Sequence, residues 1–177
     1  MEFIYKVNAG TYEWSEKTDD LKDTEYSNEF KNENPFIARQ EAFERAKSYE
    51  ENFLQAHKIG VGDFFENKNE IYKEFSVTIS LVNPDTFEDI EIDIFKPFTE
   101  DSLMQERYAY FTMGFILNAL EKEVAVLKRH NVDLLNKTQK IKVLNYNQSK
   151  ETKIIEVVPT EYCSSQEIEI FNIDDFL

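Results

Sequence analysis

Acidic side chains alternate with isoleucine between residues 89 and 94, and this row is the first pattern in the chain that could perform chemistry. Asp89, Glu91 and Asp93 stand at every second position. On a β-strand such positions share one face and lie about 7 Å apart. The row predicts a surface that attracts a basic partner, or oxygen ligands for a hard cation such as Mg²⁺. Acids at this spacing also commonly serve only to solvate the outer face of a strand.

A divalent-metal hydrolase or nuclease is the catalytic alternative for these acids, with Asp85 added to the row. Pro84-Asp85, followed by Asp93 and Lys96, resembles the motif of the PD-(D/E)xK nucleases. Two residues rather than one separate Asp93 from Lys96, so alternation along a strand sends this acid and this lysine to opposite faces. The motif is therefore incomplete, and the acidic row stands without it.

Nucleophilic and nucleotide chemistry have little support in the sequence. Cys163 is the single cysteine, and the two histidines, His57 and His130, fall near the ends of predicted helices. At a helix end a histidine commonly complements the helix dipole. No G-x-S-x-G, G-x-G-x-x-G or P-loop pattern occurs, so we expect no cofactor and no catalytic residue.

The C-terminal segment 164–177 combines acids with large apolar residues and contains no Lys or Arg. Its last residues resemble the acidic, hydrophobic-tipped docking tails of bacterial single-stranded DNA-binding proteins, without the usual proline before the final aromatic. The resemblance implies partner binding, by strand addition or by apolar side chains entering a pocket. Packing as an edge strand on its own domain is the other prediction. The residues predicted to bind a partner here are Ile168, Ile170, Phe171, Asp174, Asp175, Phe176 and Leu177.

Composition narrows the class of partner. The 177 residues carry 20 Lys plus Arg against 35 Asp plus Glu, a formal net charge of −15. Nucleic-acid binding draws on surplus Lys and Arg, and an anionic membrane surface would repel this charge, so we expect neither nucleic acid nor membrane as a partner. A protein with a basic surface is expected instead. One cysteine and no signal-like N-terminus predict a cytoplasmic protein, and the Lys, Asn, Ile and Phe content suggests a bacterial or phage source.

The elements that must position these residues follow from periodicity and turn signals. We predict a strand over 1–10, a long loop over 11–33, and a helix that begins at Asn34-Pro35 and ends near 59. A hairpin over 72–95 turns at Asn83-Pro84-Asp85-Thr86. A helix from about 102 to 130, apolar nearly all round its first half, predicts enclosure on several sides. A second hairpin over 141–158 completes the order, and 164–177 is either a further edge strand or a docking tail.

This order predicts an α+β fold, β-α-β-β-α-β-β, with two long helices packed on a mainly antiparallel sheet. Its first six elements match the ferredoxin-like split βαβ motif. The predicted division is a single domain over 1–163 and an acidic, hydrophobic tail or edge strand over 164–177. Gly114 lies in the apolar helix, where a missing Cβ allows close packing or a ligand pocket.

The function predicted from the sequence is a non-catalytic interaction or regulatory protein. Its acidic hairpin, the 11–33 segment or the tail would bind the basic surface of a macromolecular partner. A nucleic-acid mimic or inhibitor is one variant. The alternatives are the divalent-metal hydrolase or nuclease and a small-ligand sensor with a pocket near Gly114.

Overall fold

The computed structural model describes residues 1–15, 20–57, 71–95, 102–145, 152–160 and 167–170. Within these ranges the chain forms two helices and two mostly antiparallel sheets, so the predicted α+β class is confirmed. The chain divides into two compact units, Met1–Ser102 (unit 1) and Leu103–Leu177 (unit 2). The predicted division into a domain over 1–163 and a tail over 164–177 stays a prediction.

Unit 1 is a four-stranded sheet with one helix on one face. Its strands follow the order β2-β1-β3-β4, and every neighbouring pair is antiparallel. The helix contacts the three strands β1, β2 and β3. The elements are β1 (Phe3–Ser15), β2 (Asp20–Asn32), α1 (Pro35–His57), β3 (Ile71–Val82) and β4 (Asp89–Phe95).

Helix α1 begins where the sequence predicts. The side chain of Asn34 accepts a hydrogen bond from the Phe36 N–H at 3.1 Å, and Pro35 occupies the first helical position. This is an N-cap followed by a proline whose missing N–H has no intrahelical partner to lose. The small side chains of the apolar stripe, those of Ala38, Ala42 and Ala46, are at most 2% exposed, so the helix backbone lies close to the sheet.

The core of unit 1 lies between α1 and the face of the sheet toward it, which we call the inner face. Alternating residues of the central strands point there and are at most 3% exposed, as period 2 predicts. They are Phe3, Tyr5, Val7 and Ala9 from β1, and Val77, Ile79 and Leu81 from β3.

The prediction of a long loop over 11–33 is wrong. β1 continues to Ser15, and β2 pairs with it in an unbroken antiparallel register from Phe3↔Asn32 to Ser15↔Asp20. β2 is the edge of the sheet, and most of its described side chains are exposed. An exposed edge strand needs no alternation of apolar and polar residues, and charges there discourage pairing with other chains. The sequence therefore carried no period-2 signal for this strand.

Unit 2 contains α2 (Ser102–Arg129), which begins at the boundary between the units, and three strands in the order β6-β5-β7. The pair β5 (Gln139–Asn145) and β6 (Thr152–Val157) is antiparallel, whereas β5 and β7 (Glu167–Ile170) are parallel. Between positions 116 and 127, α2 buries side chains around most of its circumference. Most side chains of the first, apolar half of the helix, those of 102–113, lie outside the described residues, so its predicted enclosure on several sides stays a prediction.

The ferredoxin-like arrangement is not confirmed. That motif joins its four strands in one sheet, whereas the described strands form a four-stranded and a three-stranded sheet. One element also departs from the predicted order, since β2 was not expected. The C-terminal strand β7, one of the two predicted outcomes for its segment, pairs in parallel with β5.

Candidate functional site

The face of the unit 1 sheet opposite α1, which we call the outer face, carries the charged and polar side chains of the candidate site. It is formed by Ile4, Lys6, Asn8 and Gly10 of β1 and by the residues in register with them on the neighbouring strands. Residues directly opposite each other in an antiparallel pair share a face, so the register assigns side chains of β2, β3 and β4 to it as well.

Five exposed carboxylates lie on the outer face among positions with described side chains, against the two ammonium groups of Lys6 and Lys31. Lys6 Nζ lies 3.2 Å from Asp89 Oδ2, and Lys31 Nζ lies 3.1 Å from Glu29 Oε2. Exposed pairs of this kind contribute about 1 kcal/mol or less to stability. Because five carboxylates outnumber two ammonium groups, the face is net negative. The five carboxylates are those of Asp23, Glu25 and Glu29 on β2, and Asp89 and Glu91 on β4.

Asp93 does not join this row, contrary to the expectation from its spacing. The register of β3 against β4 passes from Ser80↔Glu91 to Ile79↔Asp93 and skips Ile92. This β-bulge inserts one extra residue, so Asp93 falls opposite an inner-face residue, whereas Glu91 falls opposite an outer-face residue. Ile92 is fully buried. The bulge thus keeps this isoleucine in the core and divides the three predicted carboxylates between two faces.

A groove of about 510 Å³ lies on the outer face over β1, between the edge strand β2 and the strand β3. Gly10 forms its floor, in register with Glu25 on one side and Ser76 on the other, and contributes no side chain to fill it. The Ser27 hydroxyl donates a hydrogen bond to Asn8 Oδ1 at 2.8 Å, which holds the wall on the β2 side. The lining residues are Asn8, Ala9, Gly10, Glu25, Tyr26, Ser27, Ser76 and Thr78.

The groove is rich in oxygen acceptors and has one carboxylate, so it suits a polar donor. Hydroxyl, amide and carboxylate oxygens accept hydrogen bonds from an ammonium or guanidinium group. None of the lining residues is a histidine, cysteine or lysine, so the groove offers no conventional base and nucleophile pair.

The turn between β3 and β4, residues 83–88, is the second notable feature of unit 1. Asn83 donates its N–H to the carbonyl oxygen of Glu88 at 2.9 Å and accepts one from Phe87 at 2.8 Å. The Asn83 side chain also accepts the N–H of Asp85 at 3.0 Å. This network fixes the turn, and Phe87, on its returning side, is 80% exposed. Sequence reasoning missed Phe87, although a large aromatic directly after Asn83-Pro84-Asp85-Thr86, within a turn, is an unusual residue choice.

The C-terminal residues predicted to bind a partner have different positions. Ile168 lies in β7 opposite Val143 of β5 and is only 5% exposed, and Ile170 pairs in register with Asn145. The segment 167–170 thus packs as an edge strand on its own unit, one of the two predicted outcomes. Phe171, Asp174, Asp175, Phe176 and Leu177 lie outside the described residues.

The four acids of the catalytic alternative do not share one face of the hairpin. Asp85 lies in the turn, Asp89 and Glu91 lie on the outer face, and Asp93 lies opposite the inner-face residue Ile79. Within the described ranges no group of three or more His, Cys, Asp or Glu side chains is placed to hold a metal ion. Cys163 and Lys96 lie outside these ranges, as do the side chains of 102–113 beside Gly114.

The chain matches no protein-family model, no curated protein and no solved structure. Neither helix in the described ranges is long and apolar enough to cross a membrane.

Proposed function

We propose that the chain is a non-catalytic interaction or regulatory protein whose acidic outer face binds a basic surface on a protein partner. The observation that carries the proposal is the concentration of five exposed carboxylates against two ammonium groups on one face of the sheet. The net charge of −15 adds a long-range attraction for the same class of partner.

The groove over Gly10 is the proposed seat of a Lys or Arg side chain from that partner. Glu25 supplies the charge, and the oxygens of Asn8, Ser27 and Thr78 supply hydrogen-bond acceptors around it. A charged donor bound by several oxygens gains more than it does at a single exposed ion pair. The groove thereby adds specificity to an attraction that charge alone would leave diffuse.

Mimicry of nucleic acid is a variant of the same proposal. Asp23 and Glu25 stand two residues apart on an exposed edge strand, which separates their Cα atoms by about 7 Å. A basic groove evolved for phosphates would accept such a row of anions. In this variant, affinity for the partner falls steeply as salt rises, because many charge contacts form at once.

The test uses isotope-labelled protein and a hexa-arginine peptide, with a hexa-glutamate peptide as the control ligand. Amide chemical shifts locate the bound peptide, and titration at low and high salt measures its affinity. We expect the largest shift changes at Gly10, Glu25 and Ser27, with affinity that falls as salt rises. Changes spread evenly over both units, or confined to unit 2, would contradict the proposal.

Two matched pairs of charge variants distinguish the effect of the outer face on peptide binding from the effect of the total net charge. The double substitution of Glu25→Gln with Glu91→Gln removes two carboxylates from the outer face. The control, Glu50→Gln with Glu51→Gln, removes two from α1, on the other side of the sheet. We expect the first pair to weaken peptide binding about tenfold and the second pair to change it about twofold or less. Equal losses would show that only total charge matters.

A further inference from the structure

Phe87 adopts a backbone conformation that its residue type disfavours. Its φ of 60° lies in the left-handed region, where the Cβ of an L-residue crowds the following carbonyl oxygen. The hydrogen bonds across the turn hold it there, since the Phe87 N–H is donated to the Asn83 carbonyl oxygen. At this place in a hairpin turn, glycine or asparagine is the usual residue.

At the other non-glycine positions with positive φ in the described residues, the chain carries asparagine, which tolerates this conformation. Asn131 and Asn136, the other non-glycine residues with positive φ there, have values of 57° and 58°. Asn131 ends α2 in a Schellman motif, because Val132 N–H bonds to the Leu127 carbonyl oxygen and Asn131 N–H to that of Lys128. Asparagine therefore occupies two of the three positions, and phenylalanine is the exception.

The Phe87 side chain does not offset this conformation through burial in its own unit. At 80% it is the most exposed of the large apolar side chains in the described ranges. A strained backbone with no gain from packing points to a role outside the fold, because such positions persist where function selects them. An aromatic residue whose backbone is held by hydrogen bonds across a turn loses little entropy on binding, and its ring buries a large apolar area.

The surroundings of Phe87 define the partner. Between Asn83 and Glu91 the sequence carries four acids and no Lys or Arg, and one of these acids, Asp89, pairs with Lys6. We propose that Phe87 is an aromatic anchor that enters an apolar pocket on a protein partner, with Lys and Arg side chains around the rim of that pocket. The basic rim of that pocket rests on the proposed function, which calls for a basic partner. The role of Phe87 as an anchor rests on its own backbone conformation and exposure.

Photocrosslinking identifies the surface that Phe87 touches. The photoreactive residue p-benzoylphenylalanine is placed at position 87 of the full chain, and the protein is irradiated in cells of its source organism. The control carries the same residue at position 135, where Leu135 is 76% exposed on unit 2. We expect a crosslink at 87 and not at 135, attached to an apolar residue with Lys or Arg nearby. The same products from both positions, or none from 87, would overturn the anchor.

Affinity measurements with the purified crosslinked partner then test the energetic role of the ring. We expect Phe87→Asn to weaken binding about 30-fold or more, as removal of a central anchor does, while Phe87→Tyr stays within about threefold. Leu135→Asn is the control and should bind as the unaltered protein does. Unchanged affinity for Phe87→Asn would overturn the proposal.

Salt dependence distinguishes failure of the anchor from failure of the acidic-face function. If Phe87→Asn binds normally and affinity still falls with salt, the acidic face is sufficient and the anchor is wrong. If Phe87→Asn loses binding but salt has no effect on the unaltered protein, the anchor stands and the basic-partner function is wrong.

Discussion

The Tyr49 hydroxyl donates a hydrogen bond of 2.7 Å to Asn28 Oδ1, and so joins α1 to the edge strand β2. The Tyr49 ring also stacks on Tyr26 of β2 at 5.9 Å and on Phe53 of α1 at 6.0 Å between ring centroids. Only one neighbouring strand, β1, pairs with β2 in the described sheet, so these contacts add a second attachment. They keep in place the strand that carries Glu25.

Tyr49→Phe tests this attachment while keeping the aromatic ring. We expect the free energy of unfolding to fall by about 1 kcal/mol, because the half-buried Asn28 amide loses its partner while ring stacking is retained. Urea unfolding followed by the fluorescence of Trp14, the single tryptophan and a residue of β1, measures the change in unit 1. In a double-mutant cycle with Asn28→Ala, a coupling energy near zero would contradict the bond's role.

Ala42→Leu tests the close approach of α1 to the sheet. Ala42 is fully buried in the alanine stripe, so extra methyl groups there must displace the helix or strain nearby side chains. We expect a loss of about 1 to 3 kcal/mol in the free energy of unfolding. Lys47→Leu, at an exposed position of the same helix, is the control and should change stability by less than about 0.5 kcal/mol. Similar losses for both would mean that the stripe does not set this packing.

Glu156 gives unit 2 a pH-dependent contact. Hydrogen bonds from Lys128 of α2 and from Thr138, the latter at 2.8 Å, lower the pKa of this carboxyl below its ordinary value. A carboxyl with a lowered folded-state pKa stabilises the fold above its unfolded pKa. That contribution is lost as pH falls through the folded pKa, because both states are then protonated.

Glu156→Gln should therefore reduce stability in a pH-dependent way. We expect a loss of about 0.5 to 1 kcal/mol near neutral pH, and a smaller difference from the unaltered protein once pH falls below the folded pKa. Thermal unfolding followed by circular dichroism over this pH range measures it. Glu169→Gln, on the exposed side of β7, is the control and should leave the pH profile unchanged. A constant loss at all pH values would show that charge on Glu156 is not responsible.

Elements with strong local signals were predictable from the sequence. The Asn34-Pro35 start of α1 and the alternating apolar residues of the β3–β4 hairpin are both found. Each signal is local, because a helix cap, a turn and the alternation of apolar residues are all determined by residues a few positions apart. The α+β class follows from them.

Features that depend on distant pairing were not predictable. β2 has no alternation, and only its register with β1 identifies it as a strand. The bulge at Ile92 appears only in the register between β4 and β3. The sequence of β4 alone shows an unbroken alternation, so it predicted three acids on one face. The acidic outer face combines strands far apart in the chain, and only the sheet order brings Glu25 and Glu91 to one side.

Phe87→Asn should stabilise the protein, in contrast to most substitutions of large apolar residues. The exposed ring contributes little burial, and asparagine relieves the left-handed strain, so we expect a gain of about 0.5 to 1 kcal/mol. Urea unfolding followed by Trp14 fluorescence measures it. The reverse exchange, Asn136→Phe at a φ of 58°, is the matched control and should cost about 1 to 2 kcal/mol.

The sign of the Phe87→Asn change decides between two explanations of the residue. A gain in stability would mean that phenylalanine is retained at a cost to the fold, as the aromatic anchor requires. A loss of more than about 1 kcal/mol would mean that the ring supports the turn or the sheet beneath it, since a substitution at an exposed site without a structural role stays within about 0.5 kcal/mol. In that case the strained conformation would be offset within unit 1, and the argument for an external partner at Phe87 would lose its basis.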